Sequence, residues 1–194
     1  CAAHAVGEDV TMRLNESPLS GLWEIGTAPR GDARGHFTRI FCADEFAVIR
    51  PAVRFVQVNH SVTALRGTVR GLHFQQAPNA EAKLIRCLRG AVFDVAVDLR
   101  PGSPTYGKWH GLELSAHNER QLFIPEGFAH GFQALTDDAT LLYQHTTPYS
   151  ASAESGIRYD DATVAISWPL PVTLISDRDL ALPLLNVRTP GTAA

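Results

Sequence analysis

The stretch AVFDVAVDL, residues 91–99, alternates two sets of side chains along its length. One set is wholly apolar, whereas the other contains two aspartates: Ala91, Phe93, Val95, Val97 and Leu99 against Val92, Asp94, Ala96 and Asp98. Successive side chains of a β-strand point to opposite faces of a sheet. The period of two therefore predicts a half-buried strand.

Short apolar runs of the same kind surround this stretch, at residues 82–88, 108–115, 120–126 and 139–147. Turn-forming clusters such as RPGSPTYG and TDDA separate them. Several short strands at this spacing favour an antiparallel sandwich or barrel, an all-β fold. Helical signals are few: residues 43–50 predict one short helix, and Ser176 is a candidate N-cap for another.

The composition is that of a globular protein of one domain, with 194 residues of which 45% are hydrophobic and 19% charged. We predict a domain over residues 16–185, with flexible segments at 1–15 and 186–194. The net charge of −3 gives no general attraction to nucleic acid or anionic membranes. Three cysteines form no disulfide framework, and a cytoplasmic location is expected. No apolar run is long enough to span a membrane.

Three polar residues lie within predicted strands, at positions where a packed barrel would place apolar side chains. In RGTVRGLHFQ, residues 66–75, alternation puts His73 on one face and Arg70 on the other. Lys83 and Tyr143 are the other two, each alternating with apolar neighbours. Together they indicate a polar cavity inside the fold. The alternative is that each is satisfied individually or faces solvent.

Two further kinds of site can be weighed from residue types. Arg34, Arg70 and Arg178 each suit phosphate oxygens, because guanidinium groups bind them in a forked geometry. For a metal, Gln75 stands where a second histidine would be expected beside His73, and His130 is the remaining distant partner. Two histidines are too few ligands, so metal binding is the weaker interpretation of His73. His110, His117 and His145 are expected to be surface or structural histidines.

A set of motifs occurs in a diagnostic order: DARGHF, QVNHS, RGTVRGLHFQ, EAKLIRCLRGAVFDVAVDLRPGSPTYGKW, IPEGFAHGFQAL, LLYQHTTPY and ISDRD. In this order they resemble the dTDP-4-dehydrorhamnose 3,5-epimerases over about residues 20–180. The resemblance implies a cupin-type jelly roll, and a homodimer whose N-terminal strands reach the neighbour's site. It also implies that no cofactor is needed. The implied substrate is a nucleoside diphosphate 4-keto-6-deoxy sugar, on the route to L-rhamnose.

The same resemblance implies a role for each candidate residue. His73 would be the base that removes protons beside the ketone, and Asp179 would orient its ring. Lys83 would stabilise the enolate oxygen, and Tyr143 would donate a proton from the opposite side of the sugar. The implied substrate-binding residues are Arg34, Arg70 and Arg178 for the pyrophosphate, Gln57, Asn59 and Ser61 near the sugar or nucleotide, and His130 and Tyr149 around the sugar ring.

The chain departs from the family pattern at two positions. Arg39 stands where many members carry Glu near the nucleotide, and His60 stands where Ser or Cys is commoner. The identity of the nucleotide is therefore left open. Three alternatives to double epimerisation also stay open: an epimerase acting at one carbon or on another nucleotide sugar, a metal-dependent cupin enzyme, and a non-catalytic sugar- or nucleotide-binding module.

Overall fold

The structure is a computed structural model that describes residues 12–185, and strands dominate it. In chain order the elements are β1 (Arg13–Glu16), β2 (Trp23–Gly26), β3 (Arg30–Asp32), β4 (Gly35–Phe37), α1 (Ala43–Phe46), β5 (Gln57–Thr63), β6 (Val69–Gln75), β7 (Lys83–Arg89), β8 (Ala91–Asp98), β9 (Trp109–Ser115), β10 (Gln121–Ile124), β11 (Phe128–Ala134), β12 (Ala139–His145), β13 (Glu154–Gly156) and α2 (Asp177–Leu180).

Two antiparallel sheets pack face to face, which confirms the predicted all-β sandwich. The first has six strands in the order β1-β2-β10-β7-β12-β5, and the second has five in the order β13-β6-β11-β8-β9. Strands β3 and β4 form a separate hairpin. The core between the sheets is apolar, with Ile85 and Leu141 from the first sheet against Leu114, Phe128 and Phe132 from the second.

Strand β8 is buried on both faces, so the prediction of a half-buried strand was wrong. Val92 and Ala96 pack into the core between the sheets. Val95 and Val97 point the other way and pack in a second cluster with Ile157. The sequence pattern could not reveal this layer, because the chain that covers the outer face follows the last strand. Asp94, on the inner face, is left with no exposed surface.

The two helices are short and each holds one part of the sandwich together. Helix α1 is shorter than the predicted helix over 43–50, and its Phe46 packs edge-on against Phe123 of the six-stranded sheet. Helix α2 begins at the predicted cap, because Ser176 Oγ accepts a hydrogen bond from the Asp179 N–H at 3.1 Å. That cap fixes the turn carrying Asp179, which is buried.

The structure describes only part of the two end segments that were predicted to be flexible. The predicted flexible segment 1–15 includes Arg13–Asn15, which pair with β2 as part of β1. Met12 precedes them and donates its N–H to Glu45 at 2.7 Å. Residues 1–11 and 186–194 lie outside the described residues, so their flexibility stays a prediction. Within residues 12–185, no helix combines the length and the apolar character that crossing a bilayer requires.

Candidate active site

A cavity of about 720 Å³ opens at one end of the sandwich, between the two sheets. Strands β7 and β12 show how it arises. They pair Lys83 with His145 at this end, and Cys87 with Leu141 further along. The inward side chains therefore change from polar to apolar along the same two strands. The apolar part fills the core, and the polar part lines the cavity.

The cavity brings together every predicted site residue except Arg34. Its lining includes the four predicted catalytic residues His73, Lys83, Tyr143 and Asp179. It also includes the predicted binding residues Gln57, Asn59, Ser61, Arg70, His130, Tyr149 and Arg178. The polar cavity inferred from three mid-strand residues is thus present, while the roles of the individual side chains stay predictions.

His73 and Asp179 form a hydrogen-bonded pair in the cavity wall. The His73 Nε2 lies 2.7 Å from Asp179 Oδ1, and the Gly71 N–H donates to Asp179 Oδ2 at 3.0 Å. Burial opposes ionisation of Asp179, but the hydrogen bonds from His73 and Gly71 outweigh it and hold its pKa below the usual value. An ionised carboxylate on Nε2 leaves the other ring nitrogen, Nδ1, to act on a ligand.

A bulge in β6 places Arg70 on the same cavity as His73, contrary to the strict alternation expected from the sequence. His130 pairs with His73, but Phe132 pairs with Arg70, so β6 has one more residue than β11 over this interval. Gly71 sits in the bulge at a φ of +113°. A Cβ there would lie 2.7 Å from the backbone of β11, so the bulge requires glycine.

Lys83 is held at the cavity wall by two acceptors. Its Nζ lies 2.7 Å from Glu81 Oε1 and donates to the His73 carbonyl oxygen at 3.3 Å. The Lys83 side chain is 9% exposed and that of Glu81 is 6% exposed, so this is a desolvated ion pair. An ammonium has three donors, and the third is available to a ligand oxygen.

Tyr143 lies on β12, on the sheet opposite the His73 strand. Its hydroxyl lies 3.0 Å from Ser61 Oγ on β5. Burial raises the pKa of Tyr143 well above its ordinary value, and the Ser61 contact offsets only part of that effect. The phenol is therefore protonated at neutral pH and is a hydrogen-bond or proton donor.

A second histidine–carboxylate pair adjoins the cavity, which His130 lines and Asp94 does not. His130 Nε2 contacts both oxygens of Asp94, at 3.0 and 2.9 Å, and both side chains are buried. The ring of His130 meets the ring of Tyr143 edge-on, with 6.1 Å between their centroids. Asp94 was not among the residues predicted for the site. The available signal was an aspartate inside an apolar strand, which a soluble protein buries only with a partner.

The three predicted phosphate-binding arginines lie in different places. Arg70 lines the cavity and donates to Thr63 Oγ1 at 3.1 Å and to the Val62 carbonyl at 3.2 Å. Arg178 lines the cavity too, but it forms an ion pair with Glu154. Arg34 lies in the turn of the β3–β4 hairpin, paired with Asp32 and 90% exposed, and it does not line the cavity of its own chain.

The side-chain amide of Gln75 is engaged in hydrogen bonds within the protein. Its amide donates to the carbonyls of Asn79 and Pro148, and its oxygen accepts the Ser150 N–H. These hydrogen bonds attach the loop before β13 to strand β6. Among residues 12–185, no three His, Cys, Asp or Glu side chains are grouped as metal ligands would be.

His145 was expected to be a surface or structural histidine, but it lines the cavity. Its ring stacks on that of Tyr143, with centroids 6.2 Å apart and an interplanar angle of 18°. Burial lowers the pKa of His145 to about 4, and the nearby Lys83 and His130 add to the effect. A neutral imidazole therefore lies beside the ammonium at neutral pH.

The comparison with known proteins identifies the family. A family model for dTDP-4-dehydrorhamnose 3,5-epimerase matches residues 16–187. The chain belongs to the dTDP-4-dehydrorhamnose 3,5-epimerase family. The family name denotes an isomerase acting on a sugar nucleotide, which confirms the resemblance and the enzyme class predicted from the motifs.

Individual members of the family are similar over most of the chain. A dTDP-4-dehydrorhamnose 3,5-epimerase from Sinorhizobium fredii is 50% identical over 156 residues, covering 80% of each chain. A dTDP-4-dehydrorhamnose 3-epimerase from Streptomyces niveus is 44% identical and covers 93% of this chain and 87% of its own.

A solved structure of the Legionella pneumophila epimerase, in complex with dTDP-4-keto-L-rhamnose, superposes with a TM-score of 0.86 at 42% identity. The match covers 91% of this chain and 94% of that one. Agreement over this length confirms the cupin-type jelly roll predicted for the fold.

The depressed pKa of His145 predicts how stability changes with pH. In the unfolded chain, His145 binds a proton with the reference pKa of about 6.5. In the folded chain, the pKa of His145 is about 4, so it binds the proton only at lower pH. Stability should therefore fall on acidification through that window. We expect His145→Gln to make the fall shallower, as measured by urea unfolding at a series of pH values.

The exposed His117 offers a matched control. His117→Gln should keep the wild-type dependence of unfolding free energy on pH. An equally steep fall in His145→Gln and wild type would contradict the assignment of a neutral, buried His145.

Proposed function

We propose that this protein epimerises dTDP-4-dehydro-6-deoxy-D-glucose at carbons 3 and 5, giving dTDP-4-dehydro-L-rhamnose for L-rhamnose biosynthesis. The observation that carries the proposal is a shared cavity. A histidine held by an ionised carboxylate, a buried ammonium and a protonated phenol all line it. Proton removal beside a ketone needs a base, a cation for the enolate oxygen and an acid for the return of the proton.

In the proposed mechanism, His73 is the base. The ketone at carbon 4 acidifies the hydrogens on carbons 3 and 5, and the imidazole removes one of them. Asp179 keeps the ring in one tautomer and balances the imidazolium that forms. The free N–H of Lys83 binds the enolate oxygen, where negative charge develops, and such a contact typically contributes about 10²–10³-fold in rate.

Tyr143 is the acid in this proposal. Inversion requires that the proton return to the face opposite the one from which it left. His73 lies on the five-stranded sheet and Tyr143 on the six-stranded one, so a sugar held between the sheets would meet them from two sides. No cofactor takes part in the proposed steps, because the ketone of the substrate delocalises the carbanion's charge onto the oxygen that Lys83 binds.

The diphosphate of the substrate is proposed to bind at Arg70 and Arg178. Within residues 12–185, Arg70 is the cation lining the cavity that has no carboxylate partner, which suits it to an incoming anion. Arg178 would exchange Glu154 for a phosphate oxygen on binding. Gln57, Asn59 and Tyr149 complete the rim, and Gln57 Oε1 accepts the Tyr149 N–H at 3.0 Å.

Isotope exchange tests the proposed reaction directly. Incubation with dTDP-4-dehydro-6-deoxy-D-glucose in D₂O should place deuterium at carbons 3 and 5, because each carbon loses its hydrogen to His73 and regains one from solvent. Proton NMR measures the loss of both signals and the appearance of the L-configured product. No exchange at either carbon would overturn the proposed function.

A single-carbon epimerase is the second candidate. The 3-epimerase from Streptomyces niveus favours it, since that protein covers 93% of this chain at 44% identity. The same NMR experiment separates the two candidates. Exchange at both carbons with the L-lyxo product supports double epimerisation, whereas exchange confined to carbon 3 supports the second candidate.

Substitutions of the base and the acid should have different consequences. His73→Asn should lower turnover by about 10²–10⁴-fold and abolish exchange, because no group removes the proton. Tyr143→Phe should suppress product formation while His73 continues to exchange its proton with solvent. Exchange without inversion in the Phe variant, followed by NMR in D₂O, is the expected signature.

The control is an exposed histidine: His117→Asn should keep wild-type turnover and wild-type exchange. Gln75 is unsuitable as a control, because its side chain holds the loop before β13 in place. Full turnover in His73→Asn would rule out the base assignment. Equal loss of exchange and product in Tyr143→Phe would rule out the phenol as a dedicated acid.

We also propose that the protein is a homodimer in which the β3–β4 hairpin enters the partner's cavity. All residues of the two hairpin strands are exposed, and Phe37 is 70% exposed. The edge strand β5 presents Val58 and Val62 outward, 59% and 50% exposed. Exposed apolar groups along a strand edge suit pairing with a second chain. Arg34 would then reach a diphosphate bound in the neighbouring subunit.

Complementation between two inactive variants tests this arrangement. Arg34→Ala and His73→Asn should each be impaired alone. In a mixed dimer, the cavity of the Arg34→Ala subunit keeps its own His73 and receives Arg34 from the partner, so activity should return. The recovery of activity is measured by unfolding and refolding the two variants together and then assaying turnover. No recovery in dimers confirmed by light scattering would contradict the shared site.

A further inference from the structure

Glu81 carries an unsatisfied acceptor at the edge of the proposed catalytic group. Three buried side-chain atoms find no hydrogen-bond partner among residues 12–185: Thr68 Oγ1, Glu81 Oε2 and Gln121 Oε1. Gln121 lies outside the cavity, and Thr68 contributes a neutral hydroxyl. Glu81 differs from both, because it lines the cavity and carries charge. A buried carboxylate oxygen without a donor is costly, so its retention calls for a ligand.

The position of Glu81 relative to Lys83 defines which part of a ligand it would meet. Glu81 lies two residues before Lys83, the first residue of β7, with the fully buried Ala82 between them. Both side chains line the cavity. Oε1 of Glu81 is the oxygen that holds Lys83 Nζ at 2.7 Å. The unpaired Oε2 belongs to the same carboxylate, so it is part of the group that holds the ammonium.

We propose that Glu81 is a specificity-determining residue for α-hydroxy ketones. Its Oε1 positions Lys83 on the ketone oxygen, and its Oε2 accepts a hydrogen bond from the hydroxyl on the adjoining carbon. This inference rests on the proposed function, in which the ketone is at carbon 4 and the hydroxyl at carbon 3. The two oxygens of an α-hydroxy ketone lie side by side, which matches an ammonium and a carboxylate oxygen lying side by side.

Two consequences distinguish this role from a merely structural one. A sugar lacking the 3-hydroxyl leaves the buried Oε2 unpaired, so the wild-type cavity discriminates against it. Removing the carboxylate removes that discrimination as well. A residue that served only to hold Lys83, or only to stabilise the fold, would affect both sugars equally.

A cycle of two proteins and two substrates tests the inference. The substrates are dTDP-4-dehydro-6-deoxy-D-glucose and its 3-deoxy analogue, and the measured quantity is kcat/KM for deuterium exchange at carbon 5, which both sugars possess. We expect the ratio of the two values to fall by about tenfold to a hundredfold from wild type to Glu81→Gln, the range of a hydrogen bond to a charged group. The intrinsic effect of the missing hydroxyl cancels in this comparison.

Further variants keep the result interpretable. Glu81→Ala removes both oxygens, in case the amide of the Gln variant retains one hydrogen bond. Glu113→Gln, at an exposed position on β9, controls for loss of a negative charge. Affinity for dTDP, which lacks the hexose ring, should be unchanged in all variants and reports that the cavity is intact.

The outcomes separate the inference from the proposed function. Absence of exchange by the wild-type protein with the 3-hydroxy substrate refutes the proposed function. Exchange by the wild type, with a ratio that stays within about threefold in both Glu81 variants, refutes only the role of Glu81. A fall in the ratio in either variant, with dTDP affinity maintained, supports it.

Discussion

The close approach of β6 and β11 is the contact on which the rest of the site depends. Gly71 and Gly131 face each other across these strands, and a Cβ on either would lie 2.7 Å from the opposing backbone. The approach accommodates the bulge that turns both Arg70 and His73 to the cavity. It also frees the Gly71 N–H from the strand ladder to hold Asp179. Backbone geometry thus fixes the positions of the proposed base, its carboxylate partner and the proposed anion-binding cation together.

The charges of the cavity are arranged as local pairs. Lys83 lies against Glu81, Arg178 against Glu154, and His73 against Asp179. Such pairing avoids the large cost of burying isolated ions. It also means that a substrate must compete for cations already engaged. Arg70, bound to neutral acceptors instead, offers the easier first contact for a diphosphate. In the proposed function, affinity would therefore be concentrated on the part of the substrate remote from the chemistry.

The sequence predicted the parts of this structure that depend on local pattern. Period-two alternation predicted the strands, and the preference of serine for helix N-caps predicted the cap of α2 at Ser176. The ordered motifs found the family and eleven of the twelve residues expected to line one cavity. Arg34 is the exception, since its side chain lies outside the cavity of its own chain.

Features that depend on contacts between distant segments were not predictable in the same way. Alternation along β8 could not show that residues beyond β13 would cover its outer face. Alternation along β6 could not show the bulge, which only the register with β11 defines. Asp94, Glu81 and His145 were missed as site residues because each acquires its role from a partner on another element or from the cavity that several elements enclose.

The electrostatic environments of the proposed acid and cation are coupled. Burial raises the pKa of Tyr143, which keeps the phenol protonated but makes it a weaker acid. A weak acid delivers its proton readily only to a strongly basic enolate. A bare ammonium beside the enolate oxygen would stabilise the intermediate and reduce that basicity. In the proposed mechanism, Glu81 shares Lys83 with the substrate and so weakens the field of the ammonium. Lys83 would then lower the barrier to proton removal without making the enolate too stable for Tyr143 to protonate.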